Sequence, residues 1–457
     1  MHDLRKHCLS RGLIANWGTL ALTGCLAARL AAAQGVGALE INRAVQLQFT
    51  TQTQQVYQLM GTGALPMLTP AGPWVVGDGS TSQVFSTATN AAGFFRLATN
   101  PVRDLGTILE GIRSANNVPA VACAVVLSNQ LVGLGVVGQR KWGVTNAPVT
   151  LTDAWHHGSI TKGMTATLAA MLVEQGKIQW TTKLADVFAD FAPSMNAQWK
   201  QVTLEELLSH RSGAPGDLTA SGIWTQLWNF GGTARDARRL LLHLVTVLPP
   251  DNPPGTAYEY SNAGVALAGA MLEEVMNQPW EDLLTARLFR PLGMTTAGFG
   301  VPATPRMINQ PWGHVFQGTT PSPIEPGTSA DNPTAIGPAA TVHCSLIDLA
   351  RYAEFHLAGE QGDTPLLTHA SFVKLHQDVA GQGYALGWAV TTRPWSGGVA
   401  LNHSGSNTQW YTNVWLAPGR EFAVIALTNI GDANGGSVSF NTTDQIAGRM
   451  ISEFLGN

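Results

Sequence analysis

The sequence predicts an α/β chain of the α+β type: an antiparallel sheet flanked by helices, with a helical lobe inserted in its middle, preceded by a small all-β module. Three observations predict this. Strand-like runs lie at both ends of residues 104–457, helical periodicity dominates residues 161–357 between them, and residues 36–100 are short apolar/polar alternations with almost no charge. An alternation of period two marks a half-buried strand, and a period near 3.6 marks an amphipathic helix. Sheet from both ends with helices between describes one domain whose middle is an insertion.

In chain order, residues 1–33 come first. Basic Arg5, Lys6 and Arg11 precede an interrupted apolar run from Leu13 to Leu30 and the small residues Ala31-Ala32-Ala33. That is the order of a secretory signal peptide. Leu22-Thr23-Gly24-Cys25 gives a competing reading, a lipoprotein signal that lipidates Cys25, and a buried amphipathic helix is the third. No later stretch approaches the roughly 20 apolar residues of a membrane-spanning helix.

Residues 36–100 contain alternations such as Val45-Gln46-Leu47-Gln48-Phe49, separated by Gly, Pro and Asn. Trp74, Phe85, Phe94 and Phe95 give the segment aromatic bulk that a solvated linker does not need, so it reads as a compact β-module, a carrier or a surface attachment. From Asp104 the spacing predicts a helix over 105–112, then strands over 120–128 and 131–139 joined by a turn at Asn129-Gln130. Their near-continuous apolar character fits a sheet covered on both faces. Helices are predicted over 164–175, 204–209, 236–248, 263–276 and 346–356. The Gly/Pro-rich stretch 300–340 is too long for a simple connection and reads as the rim of a binding site. Strands over 384–392, 409–416 and 422–429 and a helix over 443–454 complete the chain.

Charged residues are 12% of the 457, apolar ones 45%, and the formal net charge is −4, the composition of a packed globular protein with a lightly charged surface. With 26 basic against 30 acidic residues and no basic run, a nucleic-acid partner is excluded. The four cysteines form no Cys-x-x-Cys pair and the histidines no His-x-His or His-Glu-x-x-His, so no metal is expected, nor is any cofactor. Gly-x-Ser-x-Gly and Gly-rich phosphate loops are also absent. Cys123 and Cys344 read first as small buried residues and only second as a disulfide.

The chemistry is expected at Ser159-Ile160-Thr161-Lys162, which opens a helix directly after Gly158. Residues three apart share a helical face, so the Lys162 amine reaches the Ser159 hydroxyl. A serine becomes a good nucleophile only when a neighbour takes its proton, and a lysine does this only when burial leaves it neutral. Ser-x-x-Lys recurs at Ser371 to Lys374, and Tyr-x-Asn occurs both as Tyr260-Ser261-Asn262 and as Tyr411-Thr412-Asn413. Order separates them: only the series from Ser159 continues to Tyr260-Ser261-Asn262 and then to His403-Ser404-Gly405.

With the blocks His157-Gly158-Ser159, Leu207-Leu208-Ser209-His210-Arg211-Ser212-Gly213, Pro254-Gly255-Thr256 and Pro291-Leu292-Gly293-Met294, residues 104–457 resemble the serine β-lactamase and penicillin-binding-protein family. That family includes class C β-lactamases, DD-peptidases, D-aminopeptidases and related esterases. The resemblance implies a β-lactamase/transpeptidase-like fold and a secreted or periplasmic bacterial hydrolase acting through an acyl-enzyme. It implies Ser159 as nucleophile, Lys162 and Tyr260 as the proton-handling pair with the base unassigned between them, and Asn262 orienting the substrate. His403, with Ser404 and Gly405, would line the opposite side of the cleft on an edge strand, and the backbone N–H groups of Ser159 and Ser406 would form the oxyanion hole. Class C β-lactamases have Lys where this chain has His403, which would offer a pH-dependent positive charge to a substrate carboxylate. Expected substrates are small-molecule esters or D-amino-acid peptides, then β-lactams. A slowly acylated penicillin-binding or sensor protein without turnover is the alternative, and a chain whose β-module is the functional part is a third. His156 and His157 are expected to support the nucleophile by packing.

Overall fold

The computed structural model describes residues 43–62, 69–70, 74–77, 80–88, 94–432 and 437–456. The signal-peptide and Cys25 readings lie outside the described residues. The chain divides into two compact units, Met1–Val102 and Arg103–Asn457.

In the smaller unit, β1 (Arg43–Thr50), β2 (Gln55–Thr62), β3 (Thr81–Ala88) and β4 (Phe94–Pro101) form two antiparallel pairs, β1 with β3 and β2 with β4. Phe49 and Tyr57 are buried with ring centroids 5.1 Å apart, and Trp74 is buried as well, so these aromatics are core.

In the larger unit, α1 (Gly106–Ala115) precedes the hairpin β5 (Ala120–Leu127) and β6 (Gln130–Gly138), and β7 (Ala154–His156) follows. Next come α2 (Thr161–Glu174), α3 (Leu204–Leu208), α4 (Ala234–Thr246) and α5 (Asn262–Met276). Residues 300–340 are not one irregular loop: they contain the hairpin β8 (Gly313–Gln317) and β9 (Thr320–Ile324), where Val315 and Phe316 continue a strand pattern through a Gly/Pro-rich background. Then follow β10 (Val342–Ser345), α6 (Leu346–Gln361), α7 (His369–His376), β11 (Ala389–Arg393), β12 (Gly398–Ser406), β13 (Tyr411–Ala417), β14 (Phe422–Thr428) and α8 (Val438–Leu455).

The main sheet runs β11-β12-β13-β14-β5-β6 and ends on the short strand Arg103–Asp104 beside β6. All pairings are antiparallel except that last one. The two ends of the larger unit therefore meet where β14 pairs β5, and both strands are buried almost throughout. Side chains alternate faces, so Val121, Cys123, Val125, Phe422, Val424 and Ala426 pack with Leu105, Leu109, Ile446 and Met450 of the α1/α8 layer. Ala122 and Ala124 point the other way, and their small size lets α6 lie close to β5. Truncating a fully buried leucine such as Leu109 to Ala costs about 2–5 kcal/mol.

Three expectations need correction. The β5–β6 turn is at Ser128-Asn129, one residue earlier than expected, and both residues have positive φ (50° and 57°). Such a turn matches the right-handed twist of its strands. The strand expected over 384–392 starts only at Ala389, because Gly387 at φ +86° turns the chain and leaves Tyr384 and Trp388 as buried loop side chains. His403 is not on an edge strand: β12 lies between β11 and β13. β11 starts only at Ala389, opposite Asn402, however, so residues 403–406 lie beyond that neighbour.

Two helices place the site. Nearly every residue of α2 from Thr161 to Leu172 is buried, and so is α5 from Ala263 to Glu273. A helix apolar on all sides belongs in a core rather than on a surface. Their N-termini bring the Ser159 and Tyr260 segments together. Ser261 caps α5 by accepting the Gly264 N–H at 3.1 Å.

Candidate active site

Ser159 sits in a tight turn, Gly158–Ile160, that leads into α2. Two glycines press this turn against the end of β12. A Cβ on Gly158 (φ +49°) would lie 2.3 Å from Ser406 N, and one on Gly405 would lie 1.9 Å from His157 O and 2.8 Å from Ser159 N. The backbones of Ser159 and Ser406 are thus neighbours, and the first N–H groups of a helical turn have no intrahelical partner.

Lys162 is 1% exposed. Its Nζ lies 2.9 Å from Ser159 Oγ, 2.7 Å from Asn262 Oδ1 and 2.9 Å from Ala339 O. Two of these partners are carbonyl oxygens that only accept. A neutral amine donates its two N–H bonds to them and keeps its lone pair for the Ser159 hydroxyl. Burial holds the Lys162 pKa well below the usual lysine value, which favours that neutral form.

Tyr260 keeps 36% of its surface exposed, and its ring centroid is 4.6 Å from Lys162 Nζ. Burial of the phenol pushes its pKa up, and its interaction with Ser159 pulls the other way. The structure therefore brings together Ser159 and Lys162, paired by spacing, with Tyr260 and Asn262, which the resemblance implied.

His403 corrects the expectation of a positive charge. It is 6% exposed; its Nδ1 is 2.7 Å from Ser404 O and its Nε2 3.2 Å from Tyr384 Oη. Nδ1–H donates to the carbonyl, so Nε2 accepts from the tyrosine and the ring is satisfied without a charge. Burial pushes its pKa down to about 3. Ser404 pairs with Asn413 across the β12–β13 ladder, and Gly405 and Ser406 lie against the Ser159 turn.

Sequence reasoning gave no role to His210, Tyr258 or Tyr384. His210 (φ 59°) accepts the Ser261 N–H on Nδ1 at 3.1 Å, and its ring lies 4.4 Å from Tyr260 and 4.8 Å from Tyr384. It thereby holds the peptide between Tyr260 and Asn262. The only sequence signal was its place in the block 207–213. His157 is bound through Nδ1 to Thr412 Oγ1 and through Nε2 to Cys344 O, both at 3.1 Å, a support role. The second Ser-x-x-Lys is dispersed: Ser371 donates to Glu174 and Lys374 to Glu205. Asn413 of the second Tyr-x-Asn is buried and bonded to Asn402. Cys123 and Cys344 are free, buried thiols. A cavity of about 400 Å³ is lined by Trp228, Phe230, Phe299, Val301, Asp331 and Pro333 among others, and by none of Ser159, Lys162, Tyr260, Asn262 and His403. Among the described residues, no cluster of three or more His, Cys, Asp or Glu is arranged to hold a metal ion, and no helix is long and apolar enough to cross a membrane.

A mixed sheet-and-helix domain with Ser-x-x-Lys at the start of one buried helix and Tyr-x-Asn at the start of another defines a β-lactamase-fold protein. The model of the Beta-lactamase family matches residues 103–445, and the chain belongs to that family. It is 30% identical over 340 residues to penicillin-binding protein 4 of Amycolatopsis lactamdurans, covering 71% of this chain and 84% of that one. Among solved structures it resembles SurE (21% identity, TM-score 0.62, 76% of this chain and 75% of that one). It also resembles the D-alanine carboxypeptidase AmpC of Burkholderia cenocepacia (20% identity, TM-score 0.58, 75% and 96%). These structural likenesses speak for the fold alone.

Proposed function

We propose that the chain is a serine hydrolase that cleaves an ester or amide through an acyl-enzyme on Ser159, with Lys162 as the base. The observation that carries this reading is the Lys162 amine, buried and fixed by two carbonyl acceptors with its remaining direction on Ser159 Oγ. Lys162 takes the hydroxyl proton as Ser159 Oγ attacks the carbonyl carbon. The oxyanion is met by the N–H groups of Ser159 and Ser406. Tyr260, protonated and beside Lys162, hands a proton to the leaving group and regains one from Lys162. Water then attacks the acyl-enzyme by the same route in reverse.

The preferred substrates are small esters and N-acylated D-amino-acid amides or esters without a carboxylate beyond the scissile bond. An uncharged His403 supports this choice, since a neutral imidazole offers a carboxylate no ionic partner. The test compares kcat/KM for an N-acetyl-D-alanine p-nitrophenyl ester and an N-acetyl-D-alanine amide with that for N-acetyl-D-alanyl-D-alanine, in wild type and Ser159→Ala. The uncharged compounds are expected to lead by at least about tenfold, with all turnover lost in Ser159→Ala. Preference for the free acid would overturn the substrate assignment, and rapid turnover by Ser159→Ala would overturn the nucleophile.

A further inference from the structure

We propose that Asp331 is a positioning residue for this site, bracing from outside both backbone segments whose N–H groups face the oxyanion. This rests on the reading of Ser159 as nucleophile and of the Ser159 and Ser406 N–H groups as oxyanion donors. Asp331 follows the short turn Thr328–Ala330 in the stretch first expected to be a loop, and its side chain is 8% exposed.

One arm runs to the nucleophile. Asp331 Oδ1 lies 2.9 Å from Nε2 of the fully buried His156, a close electrostatic contact that does not form a hydrogen bond. His156 Nδ1 accepts the Gly158 N–H at 3.1 Å. Because Nδ1 is an acceptor, the ring proton of the neutral imidazole is on Nε2, facing the carboxylate. The carboxylate therefore lies against the ring that takes the Gly158 N–H, an electrostatic contact one residue before Ser159.

The other arm runs to the end of β12. Asn407, buried and next in sequence to Ser406, donates through Nδ2 to Ala330 O at 3.3 Å and to Asp331 Oδ1 at 3.4 Å. Its own Oδ1 accepts the Gln409 N–H at 3.2 Å, and Ser406 Oγ accepts the Thr408 N–H at 2.9 Å, which fixes the turn. The same carboxylate oxygen also takes the Asn332 N–H at 2.7 Å, anchoring it to its own backbone. One buried carboxylate thus links the two strands of backbone that would have to stay in register around the developing negative charge. Removing it takes the carboxylate away from the buried His156 Nε2 and leaves Asn407 Nδ2 with Ala330 O alone of these two acceptors.

The test uses the full chain with Asp331→Ala, Asp331→Asn and Asn407→Ala. The readouts are kcat and KM for p-nitrophenyl butyrate and the inhibition constant of phenylboronic acid. Ser159 Oγ adds to the boron of that acid, its proton passes to Lys162, nothing leaves, and one boron-bound oxygen takes the oxyanion position. Asp331→Ala is expected to lower kcat by about 10- to 100-fold with KM within about threefold of wild type, and to weaken the boronate by the same factor as kcat. Asp331→Asn keeps an oxygen against His156 and Asn407 and is expected to recover most of the loss, with Asn407→Ala intermediate. A general loosening of the fold would not make boronate affinity track kcat at constant KM. Wild-type kcat in Asp331→Ala, or a fall in kcat with the boronate constant unchanged, overturns the proposal. Should Asp331→Ala fail to fold, Asn407→Ala decides: it breaks one arm, and unchanged kcat and boronate affinity there overturn the bracing. Turnover that survives in Ser159→Ala would instead overturn the underlying nucleophile assignment.

Discussion

Replacing Lys162 by Met probes the protonation state on which the site depends. The amine is 1% exposed and bound to two carbonyl oxygens, and burial holds its pKa well below the 10.5 of a free lysine. Loss of the base is expected to lower kcat/KM by about 10³-fold, or about 4 kcal/mol of transition-state stabilisation. Stability should respond to pH as well. Between the depressed folded pKa and 10.5 the unfolded lysine binds a proton that the folded one does not, so unfolding takes up a proton. Stability contributed by the neutral amine is therefore complete above 10.5. It falls by about 1.4 kcal/mol per pH unit as pH drops toward the folded pKa, and is level below it. Lys162→Met removes this contribution. Urea-unfolding free energies of wild type and Lys162→Met at pH 8, 9 and 10 check it: wild type minus variant should climb by about 1.4 kcal/mol per unit. Parallel curves would refute the reasoning, because they would mean that Lys162 is an ammonium in the folded protein and cannot take the Ser159 proton.

Tyr260→Phe keeps the ring against His210 and removes only the hydroxyl, so kcat should fall by about 10²-fold with little change in the urea midpoint. His403, neutral above about pH 3, should add no limb to the kcat/KM profile between pH 5 and 8. A limb in that range that disappears in His403→Gln would contradict its assignment. Gly405→Ala places a Cβ 1.9 Å from His157 O, which must force the Ser159 turn from β12 and cost about 100-fold or more in kcat/KM for p-nitrophenyl butyrate. Burial pushes the thiols of Cys123 and Cys344 up, so mass mapping after treatment with a thiol reagent should find both unlabelled until denaturant is added.

Much of the site was legible because its parts are local. Ser159 and Lys162 are one helical turn apart, so spacing puts them on one face, whereas Tyr260 and Asn262, on either side of the cap of a second helix, were legible only through the family resemblance. The central strands β5 and β14 were legible for a similar reason: they are covered on both faces and read as unbroken apolar runs. What escaped depends on contacts across the fold. The charge of His403 is set by Tyr384, 19 residues away, and by burial, neither of which shows in the residues beside it. Asp331 meets His156 and Asn407 only after the stretch 300–340 has folded back over the nucleophile's turn. The early end of the strand expected over 384–392 follows from one glycine conformation in a segment whose apolar pattern is otherwise strand-like.

Acylation and release of Ser159 are the steps on which the proposed hydrolysis depends. Intact-mass analysis with peptide mapping, after brief incubation with a fluorescent penicillin and separately with p-nitrophenyl butyrate, tests it most directly in wild type and Ser159→Ala. Expected are an acyl adduct mapped to Ser159 in wild type, rapid release of p-nitrophenol with return of the free mass, and neither adduct nor turnover in Ser159→Ala. An adduct on another residue, or undiminished turnover by Ser159→Ala, would contradict the nucleophile assignment.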